Sequence, residues 1–98
     1  MPVISIARWN GGSRDAVLEL LRGVKPIHKK YGGECRLAHI HTGLHAGHWV
    51  VSISYPDWDT HAKATVALSK DTEHQKLRDQ MTKISHMDER VIHVELDL

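Results

Sequence analysis

The alternation of hydrophobic and polar positions along the chain predicts four strands and two helices. Side chains alternate in character, with many β-branched and aromatic residues, in four segments that predict strands: 3–9, 34–42, 48–55 and 90–96. Hydrophobic residues recur every three or four positions in two segments that predict helices: 13–31 and 58–84. The predicted order of elements is therefore β, α, β, β, α, β.

Glycine, proline and capping residues indicate where the two predicted helices end or are interrupted. Two glycines beginning at Gly32 are a strong stop signal after the first helix, and Pro26 inside it predicts a kink or the end of its regular part. The second helix is interrupted after Lys70. Thr72, with Gln75 three residues later, matches a capping box and predicts where the second half begins.

This order of elements is the split βαβ arrangement, which forms one four-stranded antiparallel sheet with the helices on one face. The predicted fold class is α+β, ferredoxin-like, with residues 1–98 as a single domain. In this topology strands two and four lie at opposite edges of the sheet. A chain of this size buries only about 60–65% of its unfolded surface, so pairing with a second copy would thicken a thin core.

The face of the sheet that the helices cover should be hydrophobic on every strand. If Thr42 opposes Gly47 across the predicted turn, then His41 pairs with His48 and each face stays consistent along the hairpin. The predicted covered face then consists of Ile4, Ile6, Ala38, Ile40, Trp49, Val51, Ile53, Tyr55, Ile92, Val94 and Leu96. The other predicted face mixes apolar residues with histidines and serines, which suits a dimer interface that encloses a cleft.

Composition narrows the classes of function. A formal net charge of +1 at pH 7 gives little attraction for nucleic acid. No apolar run approaches membrane-spanning length and no secretory signal is present, so we expect a cytoplasmic protein that does not bind membranes. The single Cys35 excludes an intrachain disulfide. Nine histidines predict solubility or stability that depends on pH near 6.

Four of those histidines fall within residues 39–48. Under the predicted register His39, His41 and His48 share one face, where neighbours lie ~7 Å apart along a strand and ~5 Å apart across it. Such a trio could hold a metal ion with an open coordination position. The alternative is that these histidines only hydrogen-bond one another and water on the polar face of a sheet.

The same predicted face carries candidates for a small-molecule site. Trp9, Ser52 and His93 would contact the ligand, and His39 or His41 would be the catalytic proton shuttle. The topology also occurs in RNA-binding modules, but strand three offers neither a stacking platform nor a basic stripe. A small hydrophobic molecule is therefore the expected partner, together with a second copy of the chain.

Several motifs resemble those of a known superfamily. They are Tyr-Gly-Gly-Glu at 31–34, the glycine-bounded hairpin at 43–47, and Ser-Tyr-Pro-Asp-Trp at 54–58 entering the second helix. With the element order, they make nearly the whole chain resemble the dimeric α+β barrel superfamily, more narrowly its NIPSNAP-like and antibiotic-biosynthesis-monooxygenase-like branches. The resemblance implies a homodimer with its sheets face to face, and ligands inside the barrel or between sheet and helices.

The superfamily includes haem-degrading monooxygenases, which share an asparagine after strand one and an axial histidine one helix length after a tryptophan. Asn10 and Trp58 are in place, but His61 comes too soon and His74 lies beyond the helix break. The resemblance therefore implies a small-molecule-binding protein, or a cofactor-free monooxygenase acting on a hydrophobic or aromatic compound. Two alternatives stay open: a metal- or haem-binding protein that uses the strand histidines, and a non-catalytic homodimer.

Overall fold

The computed structural model describes residues 1–98 as four strands and three helices. They are β1 (Val3–Asn10), α1 (Arg14–Lys30), β2 (Glu34–His39), β3 (Trp49–Tyr55), α2 (Trp58–Lys70), α3 (Thr72–Ile84) and β4 (His86–Val94). The strands form one antiparallel sheet in the order β2-β3-β1-β4, and the helices pack on one of its faces. The predicted ferredoxin-like α+β class is confirmed, including β2 and β4 as the edge strands.

Strand pairing defines the two faces of the sheet. Val3 opposes Tyr55 and Trp9 opposes Trp49, so these residues share the face that the helices cover. This covered face consists of Val3, Ser5, Ala7, Trp9, Cys35, Leu37, His39, Trp49, Val51, Ile53, Tyr55, Met87, Arg90, Ile92 and Val94. The open face consists of Ile4, Ile6, Arg8, Glu34, Arg36, Ala38, His48, Val50, Ser52, Ser54, Glu89, Val91 and His93.

The predicted faces are correct for β3 and β4 but wrong for β1 and β2. Ile4 and Ile6 lie on the open face, although their apolar character suggested the covered one. Ser5 is buried on the covered face, in place of the apolar residue expected there. The rule that the covered face is the more hydrophobic fails here because the centre of the open face is also apolar.

The β2–β3 hairpin shows why the faces exchange on β2. Ile40 N–H donates to the His48 carbonyl over 2.9 Å, and Gly47 N–H donates to the Ile40 carbonyl over 2.8 Å. His48 is thus opposite Ile40 and not opposite His41, a shift of one residue from the predicted register. Because side chains alternate between faces, this single shift moves His39 from the predicted mixed face to the covered face.

The helix ends follow the signals in the sequence with two differences. Gly32, with φ of +87°, terminates α1 in the left-handed backbone conformation that glycine favours. The helix continues through Pro26, which lies on its exposed side. The N-cap of α3 is Asp71 and not Thr72, because the Asp71 carboxylate accepts the His74 N–H at 2.9 Å.

Strand β4 begins at His86, inside the segment that the sequence pattern treats as a loop. A bulge in the β1–β4 pairing accounts for the difference: Arg8 opposes Glu89, but Trp9 opposes Met87. Asp88 is the extra residue of the bulge. Its carboxylate points to the open-face side, where it lies 3.4 Å from the Arg8 guanidinium.

The hydrophobic core lies between the covered face and the helices. It consists of Trp9, Val17, Leu21, Cys35, Trp49, Ile53, Tyr55, Ala64 and Met81. None of the helices is long and apolar enough to cross a lipid bilayer.

Candidate functional site

A cavity of about 460 Å³ lies between the covered face and the three helices. Its volume is within the range of about 300–1,000 Å³ typical of small-molecule sites. Twelve of its 21 lining residues are hydrophobic, so its walls favour a largely apolar ligand. The other nine lining residues are Ser5, His28, His61, Thr65, Ser69, His74, Gln75, Arg78 and Arg90. We refer to this space as the covered cavity.

His28 is one of the two most deeply buried residues with a polar group in the covered cavity, together with Tyr55. His28 is 4% exposed, and its Nδ1 atom has no hydrogen-bond partner. Burial lowers its pKa to about 4, and the neighbouring His74 and Arg90 act in the same direction, because a second cation beside either of them would be repelled. His28 is therefore neutral at pH 7. Its place in the last turn of α1 would favour the cationic form through the helix dipole, but burial outweighs that effect.

His74 lies beside His28 on the first turn of α3. The two rings meet edge to face with centroids 5.1 Å apart. Burial lowers the pKa of His74, and the charges of Arg78 and Arg90 act in the same direction, while Asp71 opposes them. The cavity thus holds two adjacent neutral imidazoles, each able to donate one hydrogen bond and accept one.

Tyr55 and His61 form a second polar pair on the cavity wall. Their ring centroids are 5.3 Å apart in an edge-to-face arrangement. Tyr55 is buried in the sheet, and burial raises the pKa of its phenol, so its hydroxyl is neutral and can donate a hydrogen bond.

The periodicity of the helices already contained the signal for two of these histidines. In α1, Leu21, Val24 and His28 recur at intervals of three and four residues and so share one helix face. The same spacing in α3 places His74 on the face of Met81. His61 and His74, which do not fit the axial position of a haem-degrading enzyme, both line the cavity.

The residues predicted to form the site are separated by the structure. Trp9 lines the covered cavity. His39 lies on the same face, but its ring stacks on Trp49 with centroids 4.4 Å apart, and it is not among the cavity residues. His41 is exposed in the hairpin loop. The predicted catalytic pair therefore does not meet in the cavity.

The predicted metal ligands do not converge either. His48 lies on the open face, where its Nδ1 accepts a hydrogen bond of 2.7 Å from the Arg8 guanidinium, whereas His39 is on the covered face. The prediction that His39, His41 and His48 share one face is wrong because of the one-residue shift in the hairpin. No three histidine, cysteine, aspartate or glutamate side chains are placed together to hold a metal ion.

Ser52 and His93, the remaining predicted ligand contacts, lie on the open face. Ser52 pairs with Ile6, and His93 pairs with Ile4. The sheet itself separates both side chains from the covered cavity and from Trp9.

Structural comparison places the fold among known proteins. A NIPSNAP family protein from Agrobacterium tumefaciens superposes with a TM-score of 0.76 at 15% identity, over 99% of this chain and 95% of that one. An uncharacterised NIPSNAP domain protein from Burkholderia xenovorans gives a TM-score of 0.73 at 16% identity, over 96% and 94% of the two chains.

A third similar structure is an enzyme. SnoaB, a cofactor-independent oxygenase from Streptomyces nogalater, superposes with a TM-score of 0.72 at 11% identity, over 99% of this chain and 95% of that one. No protein-family model and no curated protein matches the sequence. The chain therefore has the fold shared by NIPSNAP proteins and SnoaB, the fold that its motifs resemble.

Proposed function

We propose that the protein binds a small, largely hydrophobic compound in the covered cavity. The observation that supports this most strongly is the unpartnered Nδ1 of His28 at 4% residue exposure. A buried polar atom without a partner is rare in folded proteins because it has lost its hydrogen bonds to water. A ligand hydroxyl or carbonyl would supply the missing hydrogen bond, while the apolar walls would hold the rest of the compound.

The finer form of this proposal is a cofactor-independent oxygenase, the activity by which SnoaB is named. His28, with His74 beside it, would take a proton from an acidified C–H or O–H group of the substrate. The substrate anion so formed would pair with the imidazolium and raise its pKa above the value of about 4 that burial alone gives. The carbanion or phenolate so formed would transfer its electrons to O₂. Overall, a CH₂ group becomes a carbonyl, one oxygen atom enters the product, and the other leaves as water with the two hydrogens.

Binding is tested with 1-naphthol and naphthalene, which share a ring system and differ in one hydroxyl group. We expect 1-naphthol to shift the NMR amide signals of Trp9, His28 and His74 and to bind more tightly than naphthalene. His28→Phe should weaken 1-naphthol binding roughly tenfold, the effect of one buried hydrogen bond. His86→Phe is the matched control, because the His86 side chain is 82% exposed and lies outside the cavity.

If neither compound perturbs the cavity residues, the binding proposal is overturned. If 1-naphthol binds equally well to the protein and to His28→Phe, binding stands but His28 is not the polar contact. Thermal unfolding of both variants checks that each is folded.

Oxygenase activity is tested with anthrone, whose CH₂ group is acidified by the conjugated carbonyl across the ring. We expect protein-dependent oxygen uptake and, under ¹⁸O₂, one heavy oxygen atom in the anthraquinone product. The rate should fall in His28→Phe and stay unchanged in His86→Phe. Product formation no faster than in buffer would leave a binding protein without this activity.

We also propose that a second copy of the chain covers the open face. Ile4, Ile6, Val50 and Val91 form an apolar centre on that face and are each only half-buried in the single chain, and a contiguous apolar patch left open to water on a monomer typically marks an interface. Ion pairs flank the patch, as on the polar rim of a protein interface. The covered cavity lies on the other side of the sheet and would stay accessible.

The oligomeric state can be measured by native mass spectrometry. We expect a dimer that Ile6→Glu converts to a monomer, because a carboxylate would be buried without a partner. Leu44→Glu should leave the dimer intact, since Leu44 is 93% exposed in the hairpin. A monomeric parent protein would refute this part of the proposal without affecting the cavity.

A further inference from the structure

The permanently charged residues that line the covered cavity are all positive. The lining includes two arginines, Arg78 and Arg90, and no aspartate or glutamate. Arg78 is on α3, one helical turn after His74, and Arg90 is on β4 opposite Ala7. The two cations therefore approach the cavity from the helix side and from the sheet side.

Neither cation is neutralised by the protein. Arg78 and Arg90 form no salt bridge and no side-chain hydrogen bond, whereas Arg8 and Arg36 on the open face are both paired with carboxylates. A guanidinium is permanently charged and presents donors in a planar fork that matches a carboxylate. The cavity thus has unpaired donors of the kind that organic anions satisfy.

The charges of both arginines affect the pKa values of residues that line the cavity. Arg78 and Arg90 each lower the pKa of His74, and Arg90 also lowers the pKa of His28 and Tyr55. Arg90 lines the same cavity as His28, His74 and Tyr55, which is the geometric reason why its charge acts on these groups. With His28 and His74 neutral, their N–H groups are further donors for an anion and add no competing charge.

From this arrangement we propose that the covered cavity selects organic anions, with an apolar body against the hydrophobic walls and a carboxylate or phenolate paired with Arg78 and Arg90. The inference rests on the proposed ligand-binding role of the cavity and names the class of ligand. Inorganic polyanions do not fit the proposal, because more than half of the lining residues are hydrophobic and would stay in contact with a hydrated ion.

The test compares three ligands with the same ring and different charge: 1-naphthoate, 1-naphthalenemethanol and 1-naphthylmethylammonium. Calorimetry at pH 7 should show 1-naphthoate binding at least about tenfold tighter than the alcohol, the effect of a charge-assisted pair, with the cation weakest. The preference should decrease as salt is added, because salt screens the charges of Arg78 and Arg90, which are exposed in the unliganded protein.

Variants assign the preference to the two arginines. In Arg78→Gln/Arg90→Gln the ratio of 1-naphthoate to alcohol affinity should fall about tenfold. Arg22→Gln is the matched control: Arg22 is an exposed arginine of α1 outside the cavity, so the ratio should persist. NMR titration adds an independent measurement, since a bound carboxylate should raise the pKa of His28 and His74.

The outcomes separate this inference from the function on which it rests. If the alcohol binds as tightly as 1-naphthoate, the cavity is a ligand site without charge selection, and the inference is overturned alone. If no compound binds, the proposed function falls and the inference falls with it. If the anion is preferred equally by the parent and the double variant, recognition occurs elsewhere and the assignment to Arg78 and Arg90 is wrong.

Discussion

The arginines on the two faces of the sheet differ in whether the protein pairs them with a carboxylate. On the open face, Arg8 donates to His48 over 2.7 Å and lies 3.4 Å and 3.5 Å from the carboxylates of Asp88 and Glu89. On the covered face, Arg90 has no partner although it borders a cavity with buried polar groups. Arginine is thus paired with protein groups on the open face and free to bind a ligand on the covered face.

This difference distinguishes charges that stabilise the folded protein from charges that, in our proposal, bind a ligand. A partly buried ion pair that loses one member leaves the other unpaired, so removing it destabilises the protein. An unpaired cation at a cavity contributes little to folding and can be removed with small effect on stability. The arginines of the two faces should therefore respond to mutation in different ways: loss of Arg8 should change stability, whereas loss of Arg78 and Arg90 should change the proposed ligand selectivity.

The largest effect on stability should come from the wall shared by the core and the cavity. Trp9 is 8% exposed and opposes Trp49 and Met87. Trp9→Ala should lower the free energy of unfolding by about 3–5 kcal/mol, because it removes a large buried side chain next to an existing cavity. Urea denaturation measures this, with Leu44→Ala as the exposed control. A loss below 1 kcal/mol, on the order of a surface change, would contradict the packing described for the covered face.

The next largest effect should be a pH dependence caused by His28. Its pKa is about 4 in the folded protein but about 6.5 in an unfolded chain, so the unfolded state binds the proton first as pH falls. Stability should be constant above about pH 6.5 and should decrease by roughly 2–4 kcal/mol as pH falls towards 4. The lowered pKa of His74 acts in the same direction.

His28→Phe should flatten this part of the curve, as measured by urea denaturation between pH 7 and pH 4. Asp71, whose pKa is lowered to about 2, affects the same curve only below about pH 4, where protonation removes its contribution. An unchanged curve in His28→Phe would show that other groups cause the acid sensitivity.

A substitution of Arg8 should have a smaller effect on stability, but it should show most clearly that the two faces have different roles. Arg8→Gln removes the permanently charged partner of Asp88, whose side chain is 26% exposed, and should cost about 1–2 kcal/mol of stability. It should leave the ratio of 1-naphthoate to 1-naphthalenemethanol affinity unchanged, in contrast to the Arg78→Gln/Arg90→Gln variant. A change in that ratio of the same size as in the double variant would mean that the sheet does not isolate its two faces.

Element order and most element boundaries could be predicted from the sequence because they depend on local patterns. The alternation in β3 and the glycines after α1 each act within a few residues. The exception on β4 has a physical reason: residues 85–89 combine a serine, a histidine and two acids, a loop-like composition that pairs with β1 only through a bulge.

The faces of β1 and β2 could not be predicted, because they depend on register. Both parities of β1 contain large apolar residues, Ile4 and Ile6 on one and Trp9 on the other. On β2 the register depends on whether His41 or Ile40 opposes His48, which the loop composition does not determine. The prediction that His39, His41 and His48 share one face depended on that register, and so the predicted site was wrong when the register was.

The covered cavity is formed by helix residues that looked ordinary in the sequence. His28 and His74 follow the same three- and four-residue spacing as the leucines around them. A helical stripe shows which residues point inward but not which of them will be left without a partner. That requires the packing of α1 against α3, two elements about 40 residues apart.

The bulge on β4 has a consequence for the electrostatics of the whole molecule. With regular pairing, Asp88 instead of Met87 would oppose Trp9, and its carboxylate would enter the cavity near Arg90. One extra residue in a strand therefore puts a thioether inside and sends the acid to the other side of the sheet. The unopposed positive charge of the cavity lining thus depends on backbone geometry: with regular pairing, the Asp88 carboxylate would compete with a bound anion for Arg90.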